Sequence, residues 1–253
     1  MTVSMNAPPL EFLTLPDGRR IAARRRPGRS PTLLFLPGYA SDMEGTKALA
    51  LDAFAAERGV AMLRFDYSGT GSSSGRFEDG TLNRWLEEAL AMVDALTEGP
   101  LIAVGSSMGG WLALHLALQR PARVVGLIGV AAAPDFTDWG YTTDDKAALV
   151  QHGRLERENP YGRDKQVTTR AFWESGEPLR VLGGAINIRC PVRLLHGDAD
   201  ADVPTGVAFK LVEQLRSADV QLTLLKGGNH RLSEPHELRA LSREVDDLVE
   251  LAG

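Results

Sequence analysis

The sequence predicts a three-layer α/β sandwich, with a mostly parallel sheet of eight strands covered on both faces by helices. Three observations carry that prediction. Short apolar runs rich in β-branched residues recur along the chain at strand length. Between most of them lie segments whose apolar residues recur at helical spacing. A chain of 253 residues is also a size that one α/β domain commonly reaches, so no second domain is demanded.

The elements follow in order. Residues 10–15 and 19–25 flank Pro16-Asp17-Gly18, where Gly accepts positive φ and Asp bonds the local backbone, so the chain enters through a hairpin. Six strand-length apolar runs follow, at 32–36, 61–65, 101–105, 124–131, 192–196 and 221–225. Ala48, Leu49, Ala53 and Ala56 outline one intervening helix; Trp85, Leu86, Ala89, Leu90, Val93 and Leu96 outline another. Trp85 and Trp111 read as core. Parallel neighbours need long crossovers, and continuous apolar strands separated by helices imply a sheet buried on both faces. Reactive groups then gather at the carboxyl ends of the strands, where the loops converge. One stretch breaks the rhythm: 134–187 carries Trp139, Tyr141, Tyr161, Phe172 and Trp173 among many charges, without a clear strand. It is expected to be an insertion, a small helical lid over the strand ends. Its aromatics either line an acyl pocket or pack as the lid's own core.

Composition narrows the partners. A content of 43% hydrophobic and 24% charged residues is ordinary for a globular chain. The net charge of −5, with Arg24-Arg25-Arg26 the only basic run, argues against a nucleic-acid partner. Cys190 has no second cysteine to pair with and no metal-ligand spacing around it, which fits a reducing compartment. Residues 1–9 lack the basic start and apolar run of a secretory signal, and no stretch approaches the ~20 apolar residues of a membrane span. A cytoplasmic protein without stable membrane insertion is expected; the oligomeric state is not legible.

Gly105-Ser106-Ser107-Met108-Gly109 follows a strand and precedes a helical run, the context a nucleophile elbow requires. The tight turn forces its central side chain into strained backbone space, and Gly105 and Gly109 keep the neighbouring strand and helix from colliding with it. A serine hydroxyl needs a base to take its proton as it attacks, so a histidine and an orienting acid must follow. In the α/β-hydrolase fold, which this elbow announces, the chain order is serine, acid, histidine. The strand at 192–196 runs into Gly197-Asp198-Ala199-Asp200-Ala201-Asp202-Val203-Pro204, and the last strand runs into Lys226-Gly227-Gly228-Asn229-His230. Of five histidines, His115 reads as a packed helix residue, His196 as a structural hydrogen bonder, and His152 and His236 as solvated. His230 alone sits in a glycine-rich loop after the last strand and is taken as the base. Asp200 is selected as the acid by its place three after the glycine and three before Val-Pro; Asp202 is the runner-up, and Asp198 reads as a turn cap. The oxyanion needs donors, assigned to the backbone N–H of Met108 and of Tyr39, in the Pro37-Gly38-Tyr39-Ala40 loop. Asp66 and Tyr67 either shape the site or brace it, with bracing favoured.

At this point the sequence resembles a known family. Phe35-Leu36-Pro37-Gly38-Tyr39, Gly45-Thr46-Lys47-Ala48 and Arg64-Phe65-Asp66-Tyr67-Ser68-Gly69-Thr70-Gly71-Ser72-Ser73 are similar to the mitochondrial α/β-hydrolases that act as acyl-protein thioesterases and acyl-glucuronide esterases. So are Gly105-Ser106-Ser107-Met108-Gly109-Gly110-Trp111, Arg193-Leu194-Leu195-His196-Gly197 and Asn229-His230-Arg231. The likeness spans roughly residues 32–251, with the entry hairpin and lid matched loosely. It implies hydrolysis of S-acyl cysteines, palmitoyl groups included, or of ester-linked glucuronides. A small acyl ester or an S-acylated protein is the expected substrate, and no cofactor or metal is needed. The lack of a basic amphipathic presequence points to a bacterial-type cytoplasmic relative. The alternatives are a generic short-chain carboxylesterase and, outside enzymes, a non-catalytic ligand-binding protein on the same fold.

Overall fold

In the computed structural model, which describes residues 7–158 and 165–253, the chain enters through β1 (Leu10–Thr14) and β2 (Arg20–Arg26), paired antiparallel as a hairpin. Gly18 takes a φ of 87° in its turn, as the Pro-Asp-Gly sequence requires. β3 (Arg29–Leu36), α1 (Thr46–Arg58) and β4 (Val60–Phe65) follow, with α1 ended by Gly59 in left-handed backbone. Next come α2 (Leu82–Leu96), whose first turn is capped by the Thr81 hydroxyl, then β5 (Leu101–Ser106), α3 (Met108–Gln119) and β6 (Val124–Val130). Between β6 and the next sheet strand lie α4 (Phe136–Trp139), α5 (Thr143–His152), β7 (Arg154–Arg157), β8 (Gln166–Thr169) and α6 (Arg170–Ser175). The chain closes with β9 (Val192–Gly197), α7 (Thr205–Gln214), β10 (Val220–Leu225) and α8 (Pro235–Ala252).

The main sheet has eight strands in the order β1-β2-β4-β3-β5-β6-β9-β10, parallel from β4 to β10 and antiparallel only at the entry hairpin and its junction with β4. Alternate strand residues supply two cores. Leu34, Leu36, Leu63 and Ala103 pack with α2 and α3 on one face; Leu33, Phe35, Met62 and Ile102 pack with α1 and α8 on the other. α3 is apolar almost all round and lies buried along one side, with Trp111 at its heart and Trp85 of α2 close to full burial.

One expectation is corrected. The segment between β6 and β9 is not purely helical, since β7 and β8 pair antiparallel as a separate two-stranded sheet. Their sequences, Arg-Leu-Glu-Arg and Gln-Val-Thr-Thr, are too short and too polar to announce a strand by alternation. The three arginines of β2 each meet a carboxylate, Arg24 pairing with Glu44, Arg25 with Glu11 and Arg26 with the buried Asp52. Tyr161 and residues 1–6 lie outside the described residues.

Candidate active site

Ser107 stands between β5 and α3 with φ 54° and ψ −119°, backbone that a side-chain-bearing residue holds only when its surroundings enforce it. Glycine makes the turn possible. A Cβ on Gly109 would lie 2.0 Å from the Leu36 carbonyl oxygen, and one on Gly105 would lie 2.2 Å from that of Gly109. The Ser107 amide donates to the Val130 carbonyl, and its own carbonyl accepts from Gly110 and Ala133, so both flanks of the turn are tied down.

The loops after β9 and β10 bring the partners. His230 Nε2 lies 3.0 Å from Ser107 Oγ, and its Nδ1 lies 2.9 Å from Asp200 Oδ2. A carboxylate only accepts, so Nδ1–H donates to Asp200, leaving Nε2 to accept the serine proton. The Asp200 side chain is fully buried, with Oδ1 accepting from the amides of Asp202 and Val203, each at 2.9 Å. Burial opposes its charge, but the His230 hydrogen bond and charge, with those two amides, outweigh burial and hold the carboxyl below the usual aspartate range. Asp202, the runner-up, is exposed and contributes a backbone amide to the site. Asp198 does more than cap its turn: its carboxylate accepts from the Gly227 amide at 2.6 Å and the Lys226 ammonium at 2.8 Å, joining the acid loop to the histidine loop. His196 Nε2 lies 2.9 Å from the Val203 carbonyl and His115 Nε2 lies 2.7 Å from that of Leu179; the hydrogen bonds fit their structural reading. His152 and His236 are exposed.

The loop after β3 presses on the elbow, for a Cβ on Gly38 would lie 3.3 Å from the Ser106 carbonyl and 3.4 Å from Ser107 Cβ. Among the described residues neither the Tyr39 nor the Met108 amide donates to a backbone carbonyl, and the two flank the positions that press together at the serine, Gly38 and Ser107 itself. Asp200, Asp202 and His230 place ligand-type atoms within 4.8 Å of one another, but the first and last are spent on each other.

The family model described as alpha/beta hydrolase fold matches residues 31–160. The chain belongs to this family. It is 39% identical over 245 residues to the human "Palmitoyl-protein thioesterase ABHD10, mitochondrial", covering 95% of this chain and 80% of that protein. The solved mouse alpha/beta hydrolase domain-containing protein 10 superimposes with a TM-score of 0.91 at 35% identity, covering 97% of this chain and all of that one. A solved protein of Agrobacterium vitis S4 gives 0.89 at 43% identity, covering 95% and 99%.

Around the reactive groups of this hydrolase-fold chain, the aromatics of the segment after β6 divide. Phe172 is buried and Phe136 half-buried, and both pack on the Tyr39 ring, whereas Trp139 and Trp173 hydrogen-bond the segment's own carbonyls of Pro134 and Thr137. Tyr141 is bonded to Thr168 within the segment. Asp66 accepts from the amides of Met43 and Ser72, and Tyr67 is buried against Trp85; both brace their loop. Sequence reasoning missed two residues. Asp135, in left-handed backbone at the segment's start, accepts from the amides of Val181 and Leu182 at its end. Lys47 donates its ammonium to the carbonyl of Arg231, next to His230, and burial pushes its pKa down to about 8. Lys47 stands in a motif already singled out, but nothing in its spacing signals a partner 184 residues on.

Proposed function

We propose that this chain is a serine hydrolase that cleaves carboxylic thioesters and esters through an acyl-enzyme on Ser107, with His230 as base and Asp200 as the orienting acid. The observation that carries the reading is the unbroken hydrogen-bonded line from Ser107 Oγ through His230 to Asp200, the last fully buried and charge-stabilised. Ser107 Oγ attacks the carbonyl carbon while His230 Nε2 takes its proton. The oxyanion accepts from the Met108 and Tyr39 amides. The imidazolium, steadied by Asp200, then protonates the departing thiolate or alkoxide, and water repeats the sequence on the acyl-serine with His230 as base. No step calls for a cofactor.

The relatives named palmitoyl-protein thioesterase support S-acylated protein or another long-chain acyl thioester as substrate. We read the segment 134–187 as a lid that selects the acyl group. Those relatives are also named mitochondrial, whereas the single free Cys190 is compatible with a reducing compartment such as the cytoplasm. A cytoplasmic location is proposed on that basis. Among the described residues no helix is long and apolar enough to cross a membrane.

A fluorophosphonate probe with the protein and its Ser107→Ala variant tests the chemistry. Labelling and turnover should fall by at least about 10⁴-fold in the variant; equal labelling of both would sink the assignment, and no labelling of either would favour a binding protein. p-Nitrophenyl esters and acyl thioesters of rising chain length then separate a long-chain thioesterase from a short-chain carboxylesterase.

A further inference from the structure

The Tyr39 side chain makes contacts that its backbone role does not need. Its ring lies 4.6 Å from that of Phe172 and 6.3 Å from that of Phe136, both in the segment after β6, and 5.0 Å from Phe77 and 6.1 Å from Trp85 in the body of the fold. Its hydroxyl donates to the carbonyl of Val167 in β8 at 2.7 Å, across 128 residues of sequence. Burial raises the phenol's pKa above its ordinary value, so the hydroxyl keeps its proton and remains a donor at working pH. Meanwhile the loop it belongs to is strained, since Ala40, the next residue, has a φ of 53°. Across that turn the Ser41 amide donates to the Gly38 carbonyl, and the side-chain grips on Tyr39 add to this; three of those five come from the segment between β6 and β9.

We propose that this segment sets the oxyanion amide: by holding the ring and hydroxyl of Tyr39, it fixes the direction of the Tyr39 N–H, and Tyr39 is thereby a positioning residue for the reaction at Ser107. This inference rests on the serine-hydrolase reading above. It gives the segment a second task beside acyl selection, since displacing it would loosen transition-state stabilisation at the same moment as it opened the site.

Tyr39→Phe keeps the ring and removes only the bond to Val167. In the full chain its kcat on an acyl thioester should fall about 3- to 10-fold, less than the 10²–10³ lost with a whole oxyanion donor, with KM within about twofold. Affinity for a trifluoromethyl ketone bearing the same acyl chain should fall in parallel with kcat/KM, as a transition-state effect requires. Phe172→Leu should act the same way, and the double variant should lose less than the product of the two single losses. Thermal unfolding midpoints near wild type for both single variants would separate positioning from misfolding. A raised KM with unchanged kcat would overturn the proposal, making Tyr39 an acyl contact only; so would unchanged kinetics or fully multiplicative losses. Fluorophosphonate labelling of the wild type at Ser107 is read in the same experiment. Its failure would sink the hydrolase reading itself, whereas labelling with unaltered variants would sink this inference alone.

Discussion

Asp200 and Asp202 are the same residue type two positions apart, and what separates them is solvent. Asp200 is sealed from water and committed to His230 and two amides, while Asp202 faces outward. Asp200→Asn should therefore lower kcat by roughly 10⁴-fold through the wrong imidazole tautomer, with Asp202→Asn within about threefold; steady-state kinetics on both variants decide it, and a reversed order would transfer the role. The same carboxyl also ties stability to pH. Its folded pKa lies below the ordinary 3.8, so it contributes stability that is present above that value and is lost as pH falls through the folded one. Thermal melts at descending pH should show a shallower loss below about pH 4 in Asp200→Asn than in wild type. That Ser107 and His230 would meet was legible because the proposed chemistry calls for them in a fixed context, a strained turn after a strand and a loop after the last one. The grip on Tyr39 was not, since a ring stacked on Phe172 leaves no periodic trace in the chain.

Among the elements, the turn from β5 into α3 is set by how closely three backbones meet. Gly109→Ala would drive a Cβ into the Leu36 carbonyl, main chain that cannot swing aside. A loss of roughly 1–3 kcal/mol is expected from such overpacking, lowering Tm by about 2–4 °C per kcal/mol for a chain of this size. At Gly184 a Cβ would meet nothing within 4 Å, so Gly184→Ala should stay within about 0.5 kcal/mol of wild type. Scanning calorimetry of the two variants checks the contrast. The inner strands of the main sheet could be read because burial on both faces writes continuous apolar runs, as in Ile102 to Val104. β7 and β8 escaped because a four-residue strand with charged or hydroxylated side chains has no such run to write. The partners of the β2 arginines were not legible for a related reason: adjacency in sequence says nothing of three separate carboxylate partners.

On the scale of the molecule, cohesion is unevenly spread. β3, β5 and β6 lie in the middle of the sheet between two cores, whereas among the described residues β7 and β8 pair only with each other. Native-state hydrogen exchange should thus be slowest at the amides of β5 and its neighbours and markedly faster in the β7–β8 hairpin. Equal protection in both would show the hairpin to be part of the same cooperative unit. The layer order was predictable from alternation along the chain; the lateral order, with β3 between β4 and β5, was not, because pairing is decided in space. The placement of the reactive groups also has a meaning in time. Ser107 lies near the middle of the chain, Asp200 follows β9, and His230 follows β10, the edge strand that pairs with β9. During synthesis the proposed nucleophile leaves the ribosome long before its proposed base. On the proposed roles, the nascent chain carries an unactivated alcohol until the outermost strand has joined the sheet.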